Sequence, residues 1–135
     1  LRRMATTTQD NTVECVMQPD AIAKARELID QIYVDDQIVD YIVNLVQMTR
    51  TPEKVSEELE EFVENGASPR ATLALTLCAK ANAFLDGRGY ITPQDVKDLA
   101  HEVLRHRIAT TYEAEAEGKT SDDIVKAILD FVPVP

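Results

Sequence analysis

The sequence lacks the features that mark several common classes of protein. It has no tryptophan, four glycines and two cysteines among its 135 residues. So few glycines exclude a collagen-like chain, and two cysteines are too few for a disulfide framework. No run approaches the roughly 18 consecutive apolar residues of a membrane-spanning helix, and the first residues, LRRMATTTQDNTVE, contain no signal-peptide stretch. We therefore expect a cytosolic protein with no membrane partner.

Positive charge is also scarce. The chain has 14 Lys and Arg residues against 24 Asp and Glu residues, and its net charge is −10 with neutral histidines. Because Lys and Arg supply much of the affinity for nucleic acid, this balance excludes DNA and RNA as expected partners. With 44% hydrophobic and 28% charged residues, the composition is that of an ordinary globular domain, and 135 residues fit a single core.

Helical signals recur along the chain and predict an all-α fold, a small bundle of five to six helices. Prolines and capping residues stand where first turns would begin, and apolar residues follow at helical spacing. The predicted helices begin near Pro19, Asp36, Pro52, Ser68, Pro93 and Ser121. We expect the first to end near Tyr33 and the third to continue as one acidic helix through Glu64. The fourth is expected to have Ser68 as its N-cap and to end at Gly87.

The alanine-rich fourth helix is predicted to lie at the centre of the bundle, with Cys78 as a small buried side chain. Ahead of the first helix, Thr12 to Met17 roughly alternates in polarity, which predicts a short strand or an extended linker. We accordingly divide the chain into residues 1–18, a remnant of a preceding element with a linker, and residues 19–135, a helical domain.

Two short patterns suggest chemistry, but their spacing argues against it. Gly118-Lys119-Thr120 matches the end of a phosphate-binding loop, yet Glu113 occupies the position of that loop's first glycine. His101 and His106 are five residues apart, which places them on different sides of a helix, whereas zinc-binding pairs on helices prefer a spacing of four. We predict an ordinary loop before a helix, solvated or helix-end histidines, and no metal site. No nucleophile stands beside a base, so a self-sufficient enzyme is not expected.

The segment GASPRA, from Gly66 to Ala71, carries the remaining signal. Arg70 falls in the first turn of a predicted helix, where it adds to the positive potential of the helix dipole. Free N–H groups and a guanidinium together suit a phosphate group. The alternative is a solvent-exposed arginine at a capped helix start, and the local pattern alone favours that alternative.

Longer stretches of the chain carry a resemblance. VDDQIVDYIVNLVQMTR is followed by GASPRATLAL, AKANAFLDGRGYITPQDV, VLRHRI and ILDFVPVP. In this order and spacing they resemble the C-terminal helical lid of MoxR-type AAA+ ATPases, over roughly Val16 to Pro135. The resemblance implies that residues 1–18 are the remnant of an ATPase core with its linker, and that residues 19–135 are the lid.

The resemblance also implies a site. Arg70 is similar to the catalytic residue called sensor 2, which reaches from the lid to the phosphates of ATP, bound with Mg²⁺ by the core. Ala67, Ser68 and Pro69 would shape the turn that presents Arg70 to the nucleotide. Lid movement would couple hydrolysis to the shape of a hexameric ring and to chaperone-like remodelling or maturation of a client protein. The implied partners are the core domain, neighbouring subunits and that client, and the isolated chain is expected to be an inactive monomer.

A second function and three further arginines remain to be considered. GRGYITPQDV also resembles the helix-start pattern of histone-fold dimerisation domains, so the alternative is a stand-alone interaction or dimerisation module with no nucleotide role. Arg50, Arg88 and Arg107 lie in the stretches that are similar to the lid family. We predict structural roles for all three, as partners of helix-end carbonyls or nearby carboxylates.

Overall fold

The structure, a computed structural model, describes residues 13–135. The predicted remnant therefore lies mostly outside the described residues, as does Thr12. The described part contains seven α-helices: α1 (Pro19–Asp30), α2 (Asp36–Met48), α3 (Glu57–Phe62), α4 (Arg70–Leu85), α5 (Pro93–Leu104), α6 (Tyr112–Ala116) and α7 (Ser121–Phe131). Strands β1 (Val63–Asn65) and β2 (Ala109–Thr110) form one small antiparallel pair. The all-α prediction is confirmed, with one helix more than the six expected.

Three helices begin where their capping residues predict. The carboxylate of Asp35 accepts a hydrogen bond from a backbone N–H in the first turn of α2, at 2.9 Å. Thr92 and Asp95 form a reciprocal capping box at the start of α5, and Thr120 and Asp123 form another at α7. Each box satisfies backbone N–H groups that have no partner inside the helix.

The prediction of one continuous acidic helix is wrong. Residues Pro52–Lys54 form a single 3₁₀ turn, and α3 begins only after Ser56, whose Oγ accepts a backbone hydrogen bond at 3.0 Å. A serine that binds the backbone in this way favours a new helix start over continuation of the preceding turn. The chain leaves α3 at Val63 because that residue pairs with Thr110 of β2.

Two details of the first 35 residues also differ from expectation. Helix α1 ends at Asp30 rather than near Tyr33. The backbone of Tyr33 is instead bonded to the loop before α5, through N–H to the oxygen of Gly89 at 2.9 Å and through its oxygen to the N–H of Ile91 at 3.1 Å. Residues 13–18 are neither helix nor strand, so the short-strand alternative is wrong for the described part of that segment.

Helix α4 lies at the centre of the bundle, as predicted, and packs against α1, α2 and α5. One stripe with a spacing of four is fully buried and consists of Ala71, Leu75, Ala79 and Ala83. Small side chains on this stripe allow the neighbouring helices to approach closely. Cys78, by contrast, is exposed with Leu73 and Leu77, and its predicted burial is wrong.

The described residues contain no helix that is both long and apolar enough to cross a membrane.

A charged network fixes the connection between α4 and α5. Arg88 binds both carboxylate oxygens of the buried Asp95, at 2.8 and 2.5 Å, and also contacts Asp86 at 2.9 Å. Asn82 and the backbone and hydroxyl of Thr92 donate to the same Asp95 carboxylate. Burial raises the pKa of Asp95, but the hydrogen bonds from Arg88, Thr92 and Asn82 outweigh it and hold the pKa well below its usual range.

This network makes the stability of the fold sensitive to acid. A folded-state pKa below the unfolded one contributes stability that is complete above the unfolded pKa, near 4, and is lost as the pH falls towards the folded value. We expect Asp95→Asn to lower the free energy of unfolding at pH 7 by about 3 kcal/mol and to flatten its decline below about pH 4. Urea unfolding between pH 2 and 7 measures both effects.

The capping box of α7 supplies a matched control for that prediction. Asp123 makes the same contacts with Thr120 but is exposed and has no arginine partner among residues 13–135. Asp123→Asn should therefore cost less than Asp95→Asn. Equal losses for the two variants would show that the buried arginine pair adds nothing beyond helix capping.

Candidate functional site

The turn before α4 is packed directly against the end of α2. A Cβ atom built on Gly66 would lie 2.1 Å from the carbonyl oxygen of Thr49 and 2.7 Å from the nitrogen of Arg50. These distances are too short for any side chain, so the close approach of two backbones requires glycine at this position. The end of α2 and the start of the GASPR turn therefore form one junction.

Thr49 holds the other side of this junction. Its Oγ1 donates to the oxygen of Val46 at 2.7 Å and accepts from the N–H of Ala67 at 2.9 Å. Thr49 and Ala67 are both fully buried. A hydrogen bond shielded from water is electrostatically stronger than an exposed one, and breaking it leaves a buried N–H without a partner. The turn is thus fixed relative to α2 immediately before it reaches α4.

The start of α4 differs from the predicted cap. The N-cap residue is Pro69, and the first helical residue is Arg70. Within the described part of the chain, no side chain caps the helix. Ser68 contributes its carbonyl oxygen, which accepts from the N–H of Ala71 at 2.8 Å, and its predicted role as N-cap is wrong. Backbone oxygens of this turn accept from the second and third helical N–H groups, those of Ala71 and Thr72, in place of a serine side chain.

Arg70 projects from this fixed start into solvent. Within residues 13–135, its guanidinium has no ion-pair or hydrogen-bond partner, and the backbone N–H groups of Ser68 and Arg70 have no acceptor. The segment from Gly66 to Ala71 contains no carboxylate. The free N–H groups of this segment lie at the positive end of the dipole of α4, a 16-residue helix. Chemically, this arrangement suits a phosphate or another anion.

Structural roles are predicted for Arg50, Arg88 and Arg107, and the structure confirms two of the three. The predicted structural roles of Arg88 and Arg107 are confirmed, since Arg88 binds Asp95 and Arg107 donates to the oxygen of Val103 at the end of α5. The prediction fails for Arg50, which is exposed and has no side-chain partner among the described residues.

The remaining candidate residues lie elsewhere. His101 places Nδ1 at 2.9 Å from a carboxylate oxygen of Asp122, and the exposed His106 lies against its neighbour Arg107. In residues 13–135, no three His, Cys, Asp or Glu side chains are grouped so that they could hold a metal ion. Gly118 ends α6 with a φ of 69°, so the Gly-Lys-Thr stretch is the predicted loop before a helix.

The fold and the site together define a class of protein. They describe a small helical domain with an exposed arginine, Arg70, on a turn that buried contacts fix. Residues 56–128 match the family model of the AAA lid domain. The chain belongs to that family, and its relatives identify it as the MoxR type.

Two curated proteins illustrate the relationship. The chain is 35% identical over 115 residues to Chaperone MoxR1 of Mycobacterium tuberculosis, a match that covers 84% of this chain and 30% of that protein. It is 32% identical over 79 residues to Protein MoxR of Methylorubrum extorquens, which covers 57% of this chain and 23% of that protein. The chain thus spans about a quarter to a third of the length of these relatives.

A solved structure has the same fold. The crystal structure of a candidate ATPase from Cytophaga hutchinsonii superimposes with a TM-score of 0.92 at 33% sequence identity. The match covers 99% of this chain and 41% of that one. The MoxR-type lid resemblance and the helical fold are therefore confirmed.

Proposed function

We propose that this chain is the lid of a longer MoxR-type AAA+ ATPase and closes over ATP bound by a core domain of the same protein. Arg70 is the residue assigned to the nucleotide, as sensor 2. The observation that carries this assignment is an exposed guanidinium without a partner in the described residues, placed on a turn that buried contacts fix. By contrast, Arg88 in the loop before α5 and Arg105 and Arg107 directly after that helix all bind other groups of the fold.

The donor set at the start of α4 fits a phosphate group. Arg70 would bind phosphate oxygens through its guanidinium, and the free N–H groups of Ser68 and Arg70 would add dipolar stabilisation. Ala67 and Pro69 hold this turn in place. ATP supplies the phosphoryl group that is transferred to water, and we assign Mg²⁺ and the remaining phosphate contacts to the core. The lid's own contribution is to place positive charge where negative charge develops.

The junction between α2 and α4 would also transmit movement. Since Gly66 and Thr49 lock the turn to α2, a shift of Arg70 towards the phosphates moves the two helices together. We propose that this movement couples hydrolysis to a ring of neighbouring subunits in the cytoplasm. One relative is named a chaperone, which supports remodelling or maturation of a client protein as the outcome. Taken alone, the chain is expected to be an inactive monomer.

The reading frame upstream of Leu1 tests the proposal. We expect a G-x-x-x-x-G-K-[ST] loop and an acidic strand end within about 200 to 250 residues, the length of one domain. A start codon directly upstream would overturn the proposal and favour a stand-alone interaction module. Sedimentation of the chain at several concentrations would then decide whether that module dimerises.

A further inference from the structure

Arg50 is the arginine whose environment the fold does not explain. Its backbone N–H closes the end of α2 on the oxygen of Gln47 at 2.9 Å, but its side chain is exposed and has no partner in residues 13–135. Glu64 lines a small cleft together with Arg50 yet forms no ion pair with it. In a chain with 24 acidic residues and 14 basic ones, an exposed guanidinium that forms no ion pair within the described residues has its donors free for an external anion.

A second and larger cleft places Arg50 beside the GASPR turn. This cleft has a volume of about 430 Å³ and separates the C-terminal half of α2 from the first turn of α4. Its lining consists of Val43, Val46, Gln47, Arg50, Pro69 and Thr72. None of these residues is acidic, whereas clefts elsewhere on the domain include Asp40, Glu58 or Asp123. The lining of this cleft therefore carries one positive charge and no negative charge, in a protein that is acidic overall.

The same junction fixes the backbones of Arg50 and of the turn that presents Arg70. The Arg50 nitrogen is among the atoms in closest approach to Gly66, and Pro69, which lines the cleft, directly precedes Arg70. Arg50 thus lines the cleft just after the end of α2, and Arg70 lies in the first turn of α4 between Pro69 and Thr72, which line its other side. A guanidinium can give two charge-assisted hydrogen bonds to a phosphate, so two of them can hold a polyphosphate at separate oxygens.

We propose that Arg50 is a second phosphate ligand of this lid and binds the nucleotide from the α2 side of the cleft while Arg70 binds it from the α4 side. This inference rests on the proposed function. It assigns to the lid two cationic contacts rather than one, and it assigns part of the affinity for polyphosphates to the end of α2.

Nucleotide titration of the full-length protein tests this assignment. We expect Arg50→Ala to weaken ATP binding about tenfold, the effect of losing one charge-assisted hydrogen bond, and to affect AMP much less. Arg50→Lys should recover part of the loss because it keeps the charge without the planar fork. Arg26→Ala removes the same charge from an exposed position on α1 and should leave both affinities unchanged.

The outcomes separate failure of this inference from failure of the proposed function. If Arg70→Ala weakens ATP binding or turnover and Arg50→Ala changes neither, Arg50 is not a ligand, although the lid assignment stands. If neither arginine matters, the proposed sensor 2 role of Arg70 fails as well. If Arg50→Ala lowers the thermal midpoint of unfolding and weakens ATP and AMP equally, Arg50 has a structural role and the inference is overturned.

Discussion

Replacing Arg70 with alanine in the full-length ATPase is expected to reduce ATP turnover by about 10²–10³-fold, the usual effect of removing a preorganised contact to developing charge. We attribute this loss to chemistry at the phosphates and not to a change in the fold. Its guanidinium is exposed and unpaired within the described residues, so its loss leaves the helix and the core intact. Steady-state phosphate release at saturating ATP measures the change.

Two further variants control this experiment. Arg70→Lys keeps the charge but loses the planar fork, so we expect intermediate turnover. Arg26→Ala, a matched change at an exposed position on α1, should hydrolyse ATP at the wild-type rate. Unchanged turnover and nucleotide affinity in Arg70→Ala would remove Arg70 from the site.

Gly66→Ala is expected to be the most damaging small substitution in the domain. The new methyl carbon would lie 2.1 Å from the oxygen of Thr49, which is backbone and cannot rotate away. The turn must then move off α2 and break the buried bond between Thr49 and Ala67. We expect a loss of about 3 kcal/mol in the free energy of unfolding, or roughly 10 °C in the thermal midpoint.

Gly89 provides the comparison for this substitution. A Cβ atom at Gly89 meets nothing within 4 Å, so Gly89→Ala should stay within about 0.5 kcal/mol of the parent. In the full-length ATPase, Gly66→Ala should also reduce turnover because Arg70 loses its fixed position. A stable Gly66→Ala variant with normal turnover would show that the junction does not position the arginine.

Much of the fold is readable from local sequence signals. The side chains of Asp35, Thr92 and Thr120 cap their helices by binding backbone N–H groups two or three residues further along the chain. These helices begin where the sequence predicts. The acidic segment was not predictable in this way. Its apolar spacing is helical throughout, but the strand pairing of Val63 with Thr110 depends on residues almost fifty positions away.

The candidate site was only partly predictable for the same reason. The GASPR turn singles out Arg70 as a candidate anion ligand, and the family resemblance implies the sensor 2 role for it. The junction partners are not predictable from local sequence, because the contact of Gly66 with Thr49 joins the loop before α4 to the end of α2. A threonine at the end of a strongly apolar helix is the one local signal that could have pointed to Thr49. Its complete burial is a property of the packed bundle.

Hydrogen exchange in the full-length protein, with and without a non-hydrolysable ATP analogue, tests the central claim most directly. It needs no substitution and follows the backbone that carries Arg70. If the lid closes over the nucleotide, the analogue should slow exchange in residues 66–72, where the N–H groups of Ser68 and Arg70 otherwise have no acceptor in residues 13–135. Identical exchange in this segment, in a protein that demonstrably binds the analogue, would contradict the account.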